Sequence, residues 1–171
     1  GCELKIDTRR FGYRDGVTVA GGSVEFVDPS FLNDHWKHLT SAHQAAHRGA
    51  VGHQHVHLLL DTGAWDSEAA GPSKSLRAAV HFDEEGTPDG FALFRFKGWE
   101  ESSKAEVFKV CAADPAVARA LWKALAEMDL IETLLATPST LPDQLILSLA
   151  DSRAAKVAEV GDGVWLRPLD R

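Results

Sequence analysis

With 171 residues and a formal net charge of -7 at pH 7, the chain is the size of one ordinary domain and can bury about two thirds of the surface its unfolded form exposes. The acidic balance, with no lysine/arginine stripe, excludes a nucleic-acid or anionic-membrane partner, because both require positive charge gathered on one face. Apolar runs of only a few residues, as between Val56 and Leu60, exclude a helical bilayer span.

In chain order, Glu3 to Asp7 and Ser23 to Val27 read as the first strands, separated by a loop marked by Asp15-Gly16 and Gly21-Gly22. Pro29 and Ser30 then open a helix whose apolar stripe is Leu32, Trp36, Leu39, His43 and Ala46, ending at Arg48-Gly49. A second, less regular stretch from Gln54 to Asp61 reads as helix, or, by its alternating His55-Val56-His57, as extended chain, and Thr62 to Lys74 is a small, polar loop. Leu76 to Phe82 and Phe91 to Phe96 form a hairpin across Glu85 to Gly90, and Ala105 to Ala112 is a third strand. Asp114 and Pro115 supply an N-cap and first-position proline for a helix with Val117, Leu121, Leu125 and Met128 on its buried stripe. Leu130 to Ala136 is a further strand and Asp143 to Leu149 a short helix. Lys156 to Val160 with Val164 to Leu169 makes a closing hairpin across Gly161-Asp162-Gly163. Consecutive antiparallel strands, then a helix crossing to a parallel strand, predict an α/β (α+β) fold: a mixed, mostly antiparallel sheet that splays where its central strands part.

The junction between the Ala105 to Ala112 strand and the next helix reads Cys111-Ala112-Ala113-Asp114-Pro115-Ala116. Pyrophosphate sites at helix starts use free backbone N–H groups that glycines make approachable. Here Cβ atoms, a carboxylate and an imino nitrogen stand in their place, so the junction is expected to repel a phosphate.

Four stretches in order resemble the enhanced-intracellular-survival (Eis) type of GCN5-related N-acetyltransferases (GNAT), specifically their central domain. They are Asp7-Thr8-Arg9-Arg10-Phe11, Pro88-Asp89-Gly90-Phe91-Ala92-Leu93-Phe94-Arg95, Ala120-Leu121-Trp122-Lys123-Ala124-Leu125 with Met128-Asp129, and Asp162-Gly163-Val164-Trp165-Leu166-Arg167. The resemblance implies a GNAT-like splayed sheet whose opening holds coenzyme A in active members, beside an Arg/Gln-x-x-Gly-x-Gly/Ala loop that this junction lacks. It implies a three-domain parent, with an acetyl-CoA-binding domain before this one and a sterol-carrier-like domain after it. The tyrosine general acid and the terminal carboxylate base then belong to those flanking domains. Residues 1–171 are accordingly read as a single GNAT-like domain cut from such a parent, in keeping with a start at Gly1-Cys2-Glu3 without an initiator methionine. This domain is expected to bind no cofactor, acetyl-CoA serving the parent. The parent, a homo-oligomer and by family a hexamer, would acetylate a cationic amine, either an aminoglycoside-like polyamine or a lysine. The alternatives are a noncatalytic ligand-binding or assembly domain, and a self-contained acetyltransferase with a degenerate loop.

The candidate contacts to the amine substrate are Asp170, near the end of the last strand where the resembling proteins carry an acid, with His43 and Trp36 on the first helix. A carboxylate attracts an amine through charge-assisted hydrogen bonds, although a solvated terminal acid has the same sequence. His43 stands near a helix position that in some relatives carries a pocket-lining aromatic, and burial at the helix–sheet contact is its competing reading. Seven of the eight histidines fall between His35 and His57, and His43 and His47 are one helical turn apart, a spacing that can share a zinc ion. No neighbouring cysteine or carboxylate completes a shell, so that metal site is only an alternative. Tyr13, the single tyrosine, has the phenol a general acid needs but reads as a surface or interdomain side chain. Trp99, Trp122, Trp165 and, as its competing reading, Trp36 read as core or interdomain aromatics, and Asp83-Glu84-Glu85 as a solvated turn. Cys2, at a frayed start, and Cys111, in an apolar strand, read as inert thiols, and with no signal peptide in view the expected compartment is the cytoplasm.

Overall fold

A computed structural model describes residues 2–47, 54–62, 64–65, 74–97, 103–139 and 144–161. Strand β1 (Cys2–Asp7) is followed by a turn of 3-10 helix at Thr8–Arg10 and by β2 (Ser23–Val27). Another such turn at Pro29–Phe31 leads into α1 (Leu32–Ala46), and α2 (His55–Thr62) follows. Then come β3 (Leu76–Phe82), β4 (Pro88–Lys97), β5 (Lys104–Ala112), α3 (Pro115–Ala126), β6 (Thr133–Ser139), α4 (Gln144–Ser148) and β7 (Ala155–Val160).

These strands form one mixed sheet in the order β2-β3-β4-β5-β6-β1-β7. Its single parallel pairing among the described residues is β5 with β6, reached through α3, and every other neighbouring pair is antiparallel. β5 stays paired with β4 from Lys104 to Ala112, yet it meets β6 only from Lys104 to Val107. The sheet therefore splays beyond Val107, as expected.

Alternation along the strands divides the core between two faces. On one face Leu4, Ile6, Ala92, Phe94, Val107 and Leu134 pack under Val117, Leu121 and Leu125 of α3. On the other, Ala78, Val80, Phe91, Leu93 and Cys111 pack under Leu32, Trp36 and Leu39 of α1 and Leu58 of α2. Each such large side chain removed from water stabilises the fold by about 1.5–3 kcal/mol. α3 comes so close to the sheet that a Cβ on Gly90 would lie 2.5 Å from Val117 Cγ1.

Several local expectations shift. Ala46 is exposed, so the buried stripe of α1 ends near His43. Met128 lies past the end of α3. The β3–β4 turn begins at Asp83, whose Oδ1 accepts the backbone N–H groups of Glu85 (3.0 Å) and Thr87 (2.7 Å), so this acid builds the turn rather than standing solvated at its tip. The strand expected from Leu130 starts at Thr133 because Leu130 turns the chain with φ 66 and is 71% exposed. Cys2 is not frayed: it pairs with Ser139 and Val160 and is buried. The second half of the expected closing hairpin, together with Trp99, Trp165 and Asp170, lies outside the described residues.

The sequence did not announce where β1 would go. Instead of joining β2, it inserts between β6 and β7, where Lys5 stands directly opposite Lys156. A like-charge cross-strand pair of this kind loses about 0.2–1 kcal/mol relative to a neutral one.

Two outcomes follow from these packing facts. Gly90→Ala should lower stability by about 1–3 kcal/mol through overpacking against Val117, read as a lower urea midpoint; a raised midpoint would contradict the close approach. Leu130→Gly should raise stability by up to about 1 kcal/mol, because an L-residue in the left-handed region is disfavoured by about that much, and the same urea titration checks it.

Candidate functional site

α3 follows β5 and α4 follows β6 in chain order, and a cleft lined by Arg14, Thr18, Arg119, Gln144, Leu147 and Ser148 lies between the two helices. α3 begins with Asp114 at its N-cap. Asp114 Oδ1 accepts the Ala116 N–H at 2.7 Å, its carbonyl accepts from Ala118 at 3.2 Å, and Pro115 has no N–H to offer. The Ala116 and Ala118 N–H groups of the first turn are thus both engaged by Asp114. A diphosphate brought here would meet a carboxylate in place of free amides, so these residues do not fit the anion end of coenzyme A.

The groove between α3 and α4 is crossed by the chain's own segment Phe11 to Ala20. On the α3 side, Ala20 N donates to Ala116 O (3.1 Å), Tyr13 Oη to Arg119 O (2.7 Å) and Arg119 Nε to Thr18 O (2.5 Å). On the α4 side, Arg14 N donates to Ser148 O (3.0 Å), Ala150 N to Gly12 O (2.9 Å), and Tyr13 bridges Leu149. Phe11 meets Tyr13 edge to face at 5.2 Å, and both rings pack on the α3-side core. Just beyond, Gly22 adopts φ 87, and a Cβ there would lie 2.1 Å from Phe82 O. The Gly21 carbonyl meets buried His81 Nε2 at 2.8 Å, and His81 Nδ1 lies 2.6 Å from Asp89 Oδ1.

Tyr13 is consequently an anchor rather than a surface side chain. Burial raises its phenol well above the ordinary value, with Arg119 pulling weakly the other way, so it does not release its proton at neutral pH. His81, the one histidine outside the sequence cluster, drew no attention from the sequence. Its signal was an apolar strand context facing Asp89 across a hairpin, which becomes visible once the β3–β4 register is known.

The histidine cluster lies on the other face, along α1. His43 is half-buried, and its Nδ1 lies 2.8 Å from the Ala112 carbonyl at the end of β5. His47 Nδ1 lies 2.9 Å from the His43 carbonyl, and the two rings sit 4.2 Å apart. Trp36 is 3% exposed, stacked against His55 and packed on Phe91, with Lys109 Nζ 4.6 Å above its ring. The structure thus brings His43 and Trp36 onto one helix face beside β5, with Trp36 enclosed by the core. Asp170 lies outside the described residues. Among the described residues no three His, Cys, Asp or Glu side chains gather as a metal shell. Cys111, beside Lys109, has its thiol pushed up to about 12 by burial, against the opposing pull of Lys109; it points to Leu39 O at 3.7 Å. Such a thiol is unreactive at neutral pH.

The profile of the acetyltransferase (GNAT) domain matches residues 57–168. The chain belongs to that family. Two N-acetyltransferases of Streptomyces griseus, both described as uncharacterized, are 31% identical over 162 residues, covering 92% of this chain. This chain spans 39% of their length. Among solved structures, Eis1 from Mycobacterium abscessus superposes with TM-score 0.66 at 20% identity, over 97% of this chain and 41% of that one. A GCN5-related N-acetyltransferase from Anabaena variabilis gives TM-score 0.66 at 15% identity, over 92% and 37%. These likenesses establish the splayed GNAT fold, in a family whose acetyl donor is acetyl-CoA.

Replacing Asp114 with alanine removes the cap and should cost about 1 kcal/mol, measured as a fall in the urea midpoint. An unchanged midpoint would mean that the Asp114 carboxylate does not hold the helix start.

Proposed function

We propose that this chain is the cofactor-free central domain of a longer, Eis-type acetyl-CoA-dependent amine N-acetyltransferase. The observation that carries this reading is the segment Phe11 to Ala20, hydrogen-bonded to α3 and to the end of α4 in the groove between them, a groove that in this reading an active member would leave open for coenzyme A. Asp114 at the start of α3 supports it independently. The length of the Streptomyces relatives leaves room for flanking domains in proteins of this kind.

In this reading no residue of the chain performs a catalytic step; acetyl transfer to the amine and its proton movements belong to the flanking domains. This domain supplies one wall of the acceptor pocket. Asp170 attracts the cationic amine, an aminoglycoside-like polyamine or a lysine, through a charge-assisted hydrogen bond. Half-buried His43 on α1 borders the acceptor pocket in this reading, and Trp36 backs it from the core. Exposed apolar side chains such as Phe26 and Phe96 suit contacts with flanking domains and with further subunits of a homo-oligomer.

Calorimetric titration of the domain with acetyl-CoA is expected to give no saturable heat. In the longer protein, Asp114→Ala should leave the KM for acetyl-CoA unchanged. Micromolar binding to the isolated domain, or a raised KM in that variant, would overturn the proposal.

A further inference from the structure

α1 and α2 cover their face of the sheet only over β3, β4 and β5, leaving β6, β1 and β7 bare there among the described residues. Leu4 and Ile6 point into the α3-side core, so Lys5 points to the bare face, and the register places Lys156 beside it. Both lysines are exposed. Arg10, from the turn after β1, and Arg153, from the turn before β7, close a cleft of about 300 Å³ around them, lined also by Asp7 and Ala154.

The four cations are not equivalent. Arg10 lies 3.6 Å from both Asp7 and Asp151, and Arg153 lies 3.3 Å from Asp151, so two carboxylates offset two guanidinium groups. The second Asp7 oxygen accepts the Arg9 N–H at 3.1 Å. Lys5 and Lys156 have no ion-pair partner among the described residues. Glu3 and Glu159, opposed to each other further along the same strands, do not reach them, and Glu3 Oε2 accepts from Thr137 Oγ1 at 3.2 Å. In a chain of net charge -7, two ammonium groups are held side by side with their charge unanswered.

We propose that Lys5 and Lys156 form a binding site for a phosphate dianion, either free or as the phosphate monoester of a small molecule, with Arg153 at its flank. Residues opposed on neighbouring antiparallel strands have Cβ atoms about 4.5–5.5 Å apart. Two ammonium groups so placed can donate to different oxygens of one tetrahedral phosphate, forming charge-assisted hydrogen bonds. The dianion removes the repulsion between them. The cleft has room for the phosphate and a few attached carbons.

The test uses thermal unfolding and amide NMR spectra of the chain in phosphate-free zwitterionic buffer. Inorganic phosphate and glycerol 3-phosphate are titrated separately at constant ionic strength. The expected result is a saturable rise in Tm and saturable shifts of the Lys5, Arg153 and Lys156 amides, with Lys5→Gln weakening the apparent affinity by about tenfold. Lys156→Glu should raise Tm in phosphate-free buffer, since attraction replaces repulsion, and abolish the phosphate-dependent rise. Tighter binding of the ester marks an esterified ligand, and equal affinity marks free phosphate; either supports the site. No saturable response to either probe, or one that Lys5→Gln and Lys156→Glu leave unchanged, overturns it.

Discussion

Between Asp7 at the end of β1 and Ser23 at the start of β2 the chain must cross almost the whole sheet. β1 is sixth in the strand order and β2 is first, so the connection spans five strand spacings, about 24 Å. A route across the α3 side needs backbone partners for every N–H and C=O it buries. Some of them come from the helices on either side: the Ala116 carbonyl in the first turn of α3, and the Ser148 carbonyl and Ala150 N–H at and after the end of α4. Insertion of β1 between β6 and β7 thus dictates what fills the groove.

That filling and the capping of α3 are two sides of one exchange. The N–H groups at a helix start can serve an anion from outside or a side chain from within, and Asp114 takes the second course. The fold keeps the splay, the parallel crossover and the two-faced core of its family, while the groove is stabilised by the polypeptide itself. A shared architecture therefore says little about what chemistry a domain carries; what lies between α3 and α4 is the more informative feature.

Much of this was legible beforehand. Asp114-Pro115 marked the start of α3 to the residue, and the alternation of Leu76 to Phe82 marked β3, because both signals are local and depend on a few bonds between neighbours. Leu130 escaped because nothing in Met128-Asp129-Leu130 signals a left-handed residue, where glycine would be expected. Trp36 reads from sequence as either a core aromatic or a substrate contact, and the packing of α1 over Phe91 and β5 encloses it. Tyr13 looked superficial beside Gly12 and Arg14 because its partners lie more than a hundred residues away in sequence.

Composition, periodicity and capping chemistry by themselves determined the fold class, the order of the described elements, the splay after the parallel crossover and the Asp114 cap at the start of α3. Only the tertiary structure decided that β1 joins the far end of the sheet, that Phe11 to Ala20 runs between α3 and the end of α4, and that Lys5 meets Lys156 on the face that α1 and α2 leave bare among the described residues. The physical reason is the range of the forces involved. Helix caps and strand alternation are written in neighbouring residues, whereas strand order is chosen by burial summed over the whole core, where Leu4 and Ile6 found their place beside Leu134 and Ala136.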